Sequence, residues 1–251
     1  RAMARPRPVP PFFRVFELRQ QAVGEVQEIA TRLRQPQAAS LPLPYRAAEP
    51  LFQQGARRNH IVEAFRRSSQ YRKMILEEIN DAGLPEELWV VPIIESGYKV
   101  NAYSRARAVG LWQFMTTTGR HYGLTINEWV DERRDPQKST RAAMAYLKDL
   151  YQWFNNWDFA LAAYNRGEHG IIRDIERSRI VEFMEMAELG LTHRETENHV
   201  PQIQAAAIIA KDPEKYGFHL EDEEVEMDLV EIDYVVDLSV AATCAGVSEQ
   251  S

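Results

Sequence analysis

One acidic residue, Glu95, is placed in the sequence where acid–base chemistry would be expected. The apolar residues Leu84, Leu88 and Val91 precede it at steps of four, three and four, which puts its carboxyl on the apolar face of its own helix. Desolvation there would raise the carboxyl's pKa, so that it stays protonated near neutral pH and can give a proton to a leaving oxygen. A locally paired Glu is the alternative, but the apolar run just before Glu95 offers no cation.

A second run, Gly110 to Met115, combines a glycine with a polar residue in an apolar context. Gly110 permits a positive φ or a close backbone approach. Gln113 carries an acceptor and two donors, which the hydroxyl or acetamide groups of a sugar could satisfy. Aromatic side chains nearby could stack on sugar rings, although any one of them alone is more often a core residue: Tyr98, Tyr103, Trp112 and Phe114.

A third run, residues 160–167, is rich in alanine and ends in Tyr164, Asn165, Arg166 and Gly167. Small residues let a helix pack close to a neighbour, and a glycine suits a helix C-terminus. Tyr164 would then project its hydroxyl from a tight interface.

Taken together and in this order, the motifs resemble the lytic transglycosylase domain of the soluble-lytic-transglycosylase type, which is related in fold to goose-type lysozyme. The flanks at 83–88 and 212–217 look most like the membrane-bound lytic murein transglycosylase D branch. The resemblance covers roughly residues 60–220. The motifs that carry it are Glu95-Ser96, Gly110-Leu111-Trp112-Gln113, Ala163-Tyr164-Asn165, Glu195-Thr196 and Val200-Pro201.

The resemblance implies roles for individual residues. Glu95 would be the single catalytic acid/base, and Ser104 would help to polarise the acetamido group of the reacting sugar. Tyr164 would lie near the catalytic carboxyl. The other residues that we expect to bind the glycan are Ser96, Tyr98, Gln113, Met115, Asn165, Glu195 and His199.

His199 departs from the family pattern, which usually has Tyr before Val-Pro. The hydroxyl of that tyrosine is lost here, although an imidazole can still donate one hydrogen bond. We therefore keep His199 among the expected substrate-binding residues.

The acidic residues are spaced in a way that bears on the mechanism, because none lies between Glu95 and Glu128. Most glycosidases use two carboxylates. The absence of a second carboxylate in this interval favours assistance by the substrate's own 2-acetamido group. The resemblance implies cleavage of the β-1,4 bond between N-acetylmuramic acid (MurNAc) and N-acetylglucosamine (GlcNAc). The C6 hydroxyl would close on C1 to give a 1,6-anhydro-MurNAc end. A hydrolytic muramidase on the same fold and a catalytically inactive glycan-binding relic remain as alternatives.

The predicted fold is mainly α. We expect an N-terminal helix and Pro-rich wrapping segment at 1–58, a lysozyme-like helical catalytic domain at 59–220, and an acidic strand-plus-helix appendage at 221–251. The β-branched alternation at 225–236 suggests the short strands, and a small helix would follow through Ala245. Periodicity predicts further helices at 12–34, 59–68, 69–82, 85–95, 116–122, 139–154, 158–166, 168–188 and 199–211.

The composition argues against several classes of ligand and against a membrane-spanning helix. The 251 residues carry a net charge of −7 with no Lys/Arg cluster, which argues against nucleic-acid binding. No run approaches the ~20 apolar residues of a membrane-spanning helix. The six histidines form no metal-binding motif and no Gly-rich phosphate loop occurs, so we expect neither metal nor cofactor. The single Cys244 excludes an intrachain disulfide and is expected to be a buried thiol.

The expected partner is the peptidoglycan glycan strand, bound by a monomer. The resemblance implies the periplasm or cell envelope, where a leader absent from this sequence could attach the protein to the outer membrane.

Overall fold

The computed structural model describes residues 55–218 and 237–246, and this part of the chain is mainly helical, which confirms the predicted fold class. The α-helices that it contains are α1 (Gly55–Ala82), α2 (Val91–Glu95), α3 (Thr116–His121), α4 (Pro136–Phe154), α5 (Trp157–Arg166), α6 (Glu168–Ser178), α7 (Phe183–Glu188), α8 (Arg194–Lys211) and α9 (Leu238–Ala245). Short 3-10 helices lie at Glu86–Val90, Glu132–Arg134 and Glu214–Tyr216.

Helix α5 is central to the packing, since it contacts α4, α6, α7 and α8. Its middle residues, 160–163, are three alanines and one leucine, all fully buried. Such small side chains allow neighbouring helix axes to approach closely, which is why this segment can serve as the core of the bundle. The helix begins at a regular N-cap, where the Asn156 side chain accepts a hydrogen bond from the Phe159 N–H at 3.1 Å.

The segment between α2 and α3 is irregular, and yet hydrogen bonds and bridges hold it in place. Isolated antiparallel bridges join Val109 to both Tyr103 and Phe114. The Arg133 guanidinium is buried beneath it and donates to the carbonyl oxygens of Arg107 (3.2 Å) and Phe114 (3.1 Å). Asp131 pairs with the same guanidinium at 2.7 Å, so the buried charge is compensated.

The observed helices differ from the predicted ones at several places. The helix expected at 85–95 is a 3-10 helix, Glu86–Val90, followed by the five-residue α2, and the helix expected at 199–211 begins at Arg194. The helices expected at 59–68 and 69–82 are one continuous helix, α1, because the hydroxyls of Ser68 and Ser69 donate to carbonyls three residues back and do not interrupt it. The helix expected at 168–188 is divided into α6 and α7, because Arg179 adopts a left-handed conformation (φ 61°) that ends α6.

The C-terminal predictions fall partly outside the described residues. The helix predicted to reach Ala245 is confirmed as α9, and the Asp237 side chain caps it by accepting from the Ser239 N–H at 2.8 Å. Cys244 is exposed, so the expectation of a buried thiol is wrong. The predicted helix at 12–34 and the strands at 225–236 lie outside the described ranges, and the domain limits at 58 and 220 stay predictions.

Gly110 occupies a position in the irregular segment where a side chain would collide with the backbone of Arg133. Its φ is +86°, and a Cβ there would lie 1.8 Å from the carbonyl oxygen of Arg133. Gly123 makes a matched comparison, since its φ is +88° but a Cβ would meet nothing within 4 Å.

We expect Gly110→Ala to lower the free energy of unfolding by about 1–3 kcal/mol more than Gly123→Ala. Both variants suffer the strain of a positive φ, and only the first must also displace the backbone of Arg133. Chemical denaturation of the two variants measures the difference. Equal destabilisation would mean that the close approach of Gly110 to Arg133 is not maintained.

A buried polar pair joins α5 to α8. The Nε2 atom of Gln204 donates to Asp158 Oδ1 at 2.7 Å, and Gln204 Oε1 is buried without a hydrogen-bond partner among the described residues. Burial, with a smaller contribution from the charge of Glu182, raises the pKa of Asp158 from 3.8 to about 6. The charged form of this carboxyl is therefore less favourable in the folded protein than in the unfolded chain.

This elevated pKa predicts that Asp158 makes folding less favourable as the pH rises. Ionisation of Asp158 does not lower the free energy of unfolding below pH 3.8, the pKa in the unfolded chain. Above about pH 6 the group is ionised in both states, and the free energy of unfolding is lower by roughly 3 kcal/mol. The Asp158→Asn variant cannot ionise there, so it should be more stable than the wild type near neutral pH and lose this advantage in acid. Thermal unfolding of both proteins across this pH range tests the prediction, and parallel pH curves would contradict it.

Candidate active site

The carboxyl of Glu95 lies at the end of the five-residue helix α2. The chain then turns sharply, because the N–H groups of Ser96 and Tyr98 both donate to the Pro92 carbonyl, at 3.1 and 3.2 Å. Gly97 and Tyr98 follow with φ angles of 60° and 58°. From α1, Arg67 Nε donates to the Gly97 carbonyl at 2.7 Å and holds this turn in place. The glutamate is thus presented at a fixed bend and not along a continuous helix.

The Glu95 carboxylate is paired with a histidine from another helix. His199 Nε2, on α8, lies 2.8 Å from Glu95 Oε1. Only 13% of the Glu95 side chain and 7% of the His199 side chain are exposed. The expectation that Glu95 faces a largely desolvated environment is therefore met. The imidazole therefore has little exposed surface to offer a ligand, and the direct contact of His199 with substrate stays a prediction.

Tyr164 joins the site to the irregular segment. Its hydroxyl donates to the carbonyl oxygen of Trp112 at 2.8 Å. Burial raises its pKa well above the usual range, and the negative charge of Glu95 adds to this effect. The tyrosine is therefore a neutral hydrogen-bond donor near Glu95 at any physiological pH.

Three expected glycan contacts lie on the irregular segment and are at least partly accessible. Gln113 adopts a positive φ of 49°, and its Nε2 donates to the Gly110 carbonyl at 2.8 Å. Within the described residues its Oε1 atom has no partner. Met115 is exposed, and Ser104 is half-buried with its Oγ accepting from the Ala108 N–H at 3.0 Å.

Two further predicted residues bridge α5 and α8. Asn165 Oδ1 accepts from the hydroxyl of Thr196 at 2.7 Å, and its Nδ2 lies 3.5 Å from Glu195 Oε1. Glu195 is exposed, whereas Thr196 is fully buried. The asparagine thus fixes the relative position of the two helices that carry Tyr164 and His199.

Several aromatic residues considered for sugar stacking belong instead to the core. Tyr98 is 1% exposed, its hydroxyl donates to the Trp89 carbonyl at 2.5 Å, and burial raises its pKa far above the usual range. Trp112 is fully buried with Nε1 donating to Thr140 Oγ1, and Phe114 is 2% exposed. The prediction that Tyr98 contacts substrate is therefore wrong. Ser96 is also buried, and its hydroxyl donates to the Pro92 carbonyl at 3.2 Å. Tyr103, by contrast, is 62% exposed.

Sequence reasoning missed two residues that support the site. Tyr146, on α4, stacks obliquely on the Tyr164 ring at a centroid distance of 5.2 Å. Arg133 holds the irregular segment through backbone carbonyls. The apolar periodicity of α4 could have placed Tyr146 on the inner face, but contacts made to backbone carbonyls leave no pattern in the sequence.

No cluster of three potential metal ligands occurs within residues 55–218 and 237–246. In the same ranges, no helix combines the length and apolar character that a bilayer crossing requires.

The fold and this arrangement agree with a family assignment. Residues 74–186 match the family model described as the transglycosylase SLT domain. The chain thus contains a transglycosylase SLT domain, and the resemblance inferred from its motifs is confirmed.

Among curated proteins, the chain is similar to the membrane-bound lytic murein transglycosylase D of Escherichia coli K12, with 32% identity over 189 residues. That match covers 72% of this chain and 41% of the relative. A putative tributyltin chloride resistance protein from Alteromonas is 37% identical over 110 residues, which cover 43% of this chain and 53% of that protein. The chain therefore spans only about two fifths to one half of these relatives.

Two solved structures are also similar. They are the 70 kDa soluble lytic transglycosylase of Escherichia coli and an inactive mutant of the lytic transglycosylase Slt of Pseudomonas aeruginosa. Each has 23% sequence identity and a TM-score of 0.49. The matches cover 55% and 63% of this chain, and 23% and 26% of the respective structures.

The hydrogen bond from Tyr164 to the Trp112 carbonyl makes a testable contribution to stability. We expect Tyr164→Phe to lower the free energy of unfolding by about 1–3 kcal/mol, because the carbonyl loses its partner in a buried position. Tyr151→Phe is the control, since its hydroxyl has no hydrogen-bond partner among the described residues and its ring stacks on Trp157. Urea denaturation compares the variants, and an equal loss in both would exclude a specific role for this bond.

Proposed function

We propose that the chain is a peptidoglycan lytic transglycosylase that cleaves the MurNAc–GlcNAc β-1,4 bond without water. The observation that carries the proposal is the largely buried Glu95 carboxylate, presented at a fixed bend beside an irregular segment with polar and exposed groups. The SLT domain and the names of the curated relatives support the same activity.

In the proposed reaction, Glu95 acts first as an acid and then as a base. Its protonated carboxyl gives a proton to the glycosidic oxygen as the bond to C1 breaks, and the substrate's acetamido group stabilises the positive charge that develops at C1. The resulting carboxylate then takes the proton of the C6 hydroxyl, whose oxygen bonds to C1. Atoms balance without water, and the product carries a 1,6-anhydro-MurNAc end.

The chain's own groups fit the remaining requirements of this reaction. Residues 96–127 contain no carboxylate that could position a nucleophilic water. The Oε1 atom of Gln113 can accept a hydrogen bond from a substrate N–H or hydroxyl. Met115 and Tyr103 offer exposed apolar surface for sugar rings, and Ser104 offers a half-buried hydroxyl. We therefore assign glycan binding to these four residues, together with Asn165 and Glu195.

The proposed substrate also implies where in the cell the protein acts. Peptidoglycan lies in the bacterial cell envelope, and we propose that the protein acts there as a monomer on glycan strands.

Digestion of purified peptidoglycan tests the proposal. We expect the wild-type chain to release muropeptides with 1,6-anhydro ends, which mass spectrometry separates from hydrolysis products by the mass of one water. Glu95→Gln should lower the rate at least about 100-fold, because the amide can neither give nor take the proton. Glu86→Gln, at an exposed carboxyl in the preceding 3-10 helix, is the control and should keep full activity.

Two results would contradict the proposal. Reducing ends in place of anhydro ends would identify a hydrolytic muramidase. Undiminished product release by Glu95→Gln, or none by the folded wild type, would leave a glycan-binding protein without this chemistry.

A further inference from the structure

The contact between Glu95 and His199 bears on which oxygen of the Glu95 carboxyl carries the transferable proton. The two side chains come from different helices, α2 and α8, and meet at 2.8 Å between Glu95 Oε1 and His199 Nε2. Both are largely withdrawn from solvent. A hydrogen bond in such an environment has a defined donor and acceptor, and the two possible directions have different consequences for the chemistry.

The other ring nitrogen of His199 decides the direction. Nδ1 is buried and has no hydrogen-bond partner in the described part of the chain. A neutral imidazole carries one N–H and one lone pair. If Glu95 donated to Nε2, the proton of the ring would be on Nδ1, as a buried N–H with no acceptor, and orphaned N–H groups are the rarer and costlier kind. A proton on Nε2 avoids this cost, because Nδ1 then keeps only its lone pair.

Protonation of both nitrogens is disfavoured for the same reason. A doubly protonated ring would still leave a buried Nδ1–H without an acceptor in the described part of the chain. The described geometry is thus best satisfied by a neutral ring that donates its Nε2–H to Glu95.

The donated bond distinguishes the two oxygens of the carboxyl. Oε1 faces an N–H and cannot hold a proton on that side, whereas Oε2 has no hydrogen-bond partner among the described residues. Tyr164 does not compete for this function, because its hydroxyl donates to the Trp112 carbonyl.

We propose that His199 is a positioning residue: as its neutral Nε2–H tautomer it occupies Oε1 of Glu95, orients the carboxyl, and restricts the transferable proton to Oε2. This inference rests on the proposed function for its kinetic consequences, but the tautomer itself does not depend on it. His199 thereby takes a function in this chain that is distinct from the substrate contact expected from sequence.

The tautomer can be measured directly on the full chain labelled with ¹⁵N-histidine. The signals of His199 are assigned by their loss in the His199→Gln variant. We expect a spectrum in which Nε2 bears the proton and Nδ1 does not, at a pH where the enzyme is active. A proton on Nδ1, or on both nitrogens, would overturn the proposal whether or not the protein cleaves peptidoglycan.

Kinetics on the same protein test the consequence for Glu95. A glutamine side-chain amide can place an N–H close to the position of Nε2, whereas phenylalanine keeps the ring shape and loses the donor. We expect His199→Phe to lower kcat about 10- to 100-fold with little change in KM, because a hydrogen bond to the reacting carboxyl is lost. His199→Gln should recover most of the lost kcat. His193→Phe, at an exposed histidine just before α8, is the control and should leave both constants unchanged.

The outcomes separate the two proposals. Suppose that the wild type gives anhydro products and that both variants are folded by circular dichroism. If His199→Phe then retains its kcat, or if His199→Gln is as impaired as His199→Phe, the positioning role is wrong and the proposed function stands. If the folded wild type gives no anhydro product, the proposed function fails, and the NMR result alone decides the tautomer.

Discussion

The hydrogen bond between Glu95 and His199 is the contact on which the organisation of the site depends. It joins a helix of only five residues to one of eighteen, and so fixes the carboxyl at the end of the shorter helix. Withdrawal from solvent increases the strength of this interaction and also the cost of leaving either partner unpaired. The surrounding elements serve to keep both side chains in this position.

Two sets of contacts do so. In the first set, Asn165 binds Thr196 and Gln204 binds Asp158, so that α5 and α8 are joined at two points along their length. In the second set, Arg133 and Gly110 hold the irregular segment whose residues are assigned to glycan binding. The raised pKa of Asp158 indicates that one of these contacts carries a cost in stability near neutral pH.

Much of the fold was predictable, because helical periodicity and ordered motifs depend on local sequence. Both the mainly α class and the SLT domain follow from that information. The roles of Tyr98 and His199 were not predictable in the same way. An aromatic residue beside the Glu95-Ser96 motif can face the core or the surface, and here Tyr98 follows a left-handed turn and is buried. The pairing of Glu95 with a residue 104 positions away is a tertiary contact that no local pattern encodes.

We propose that Glu95 works alone on the substrate and that water does not enter the product. Digestion of peptidoglycan in water enriched with ¹⁸O tests this claim directly, since every hydrolysed glycosidic bond would take up one labelled oxygen. We predict that the new MurNAc ends carry no ¹⁸O and have the mass of the anhydro form. Incorporation of one labelled oxygen per cleaved bond would contradict the account.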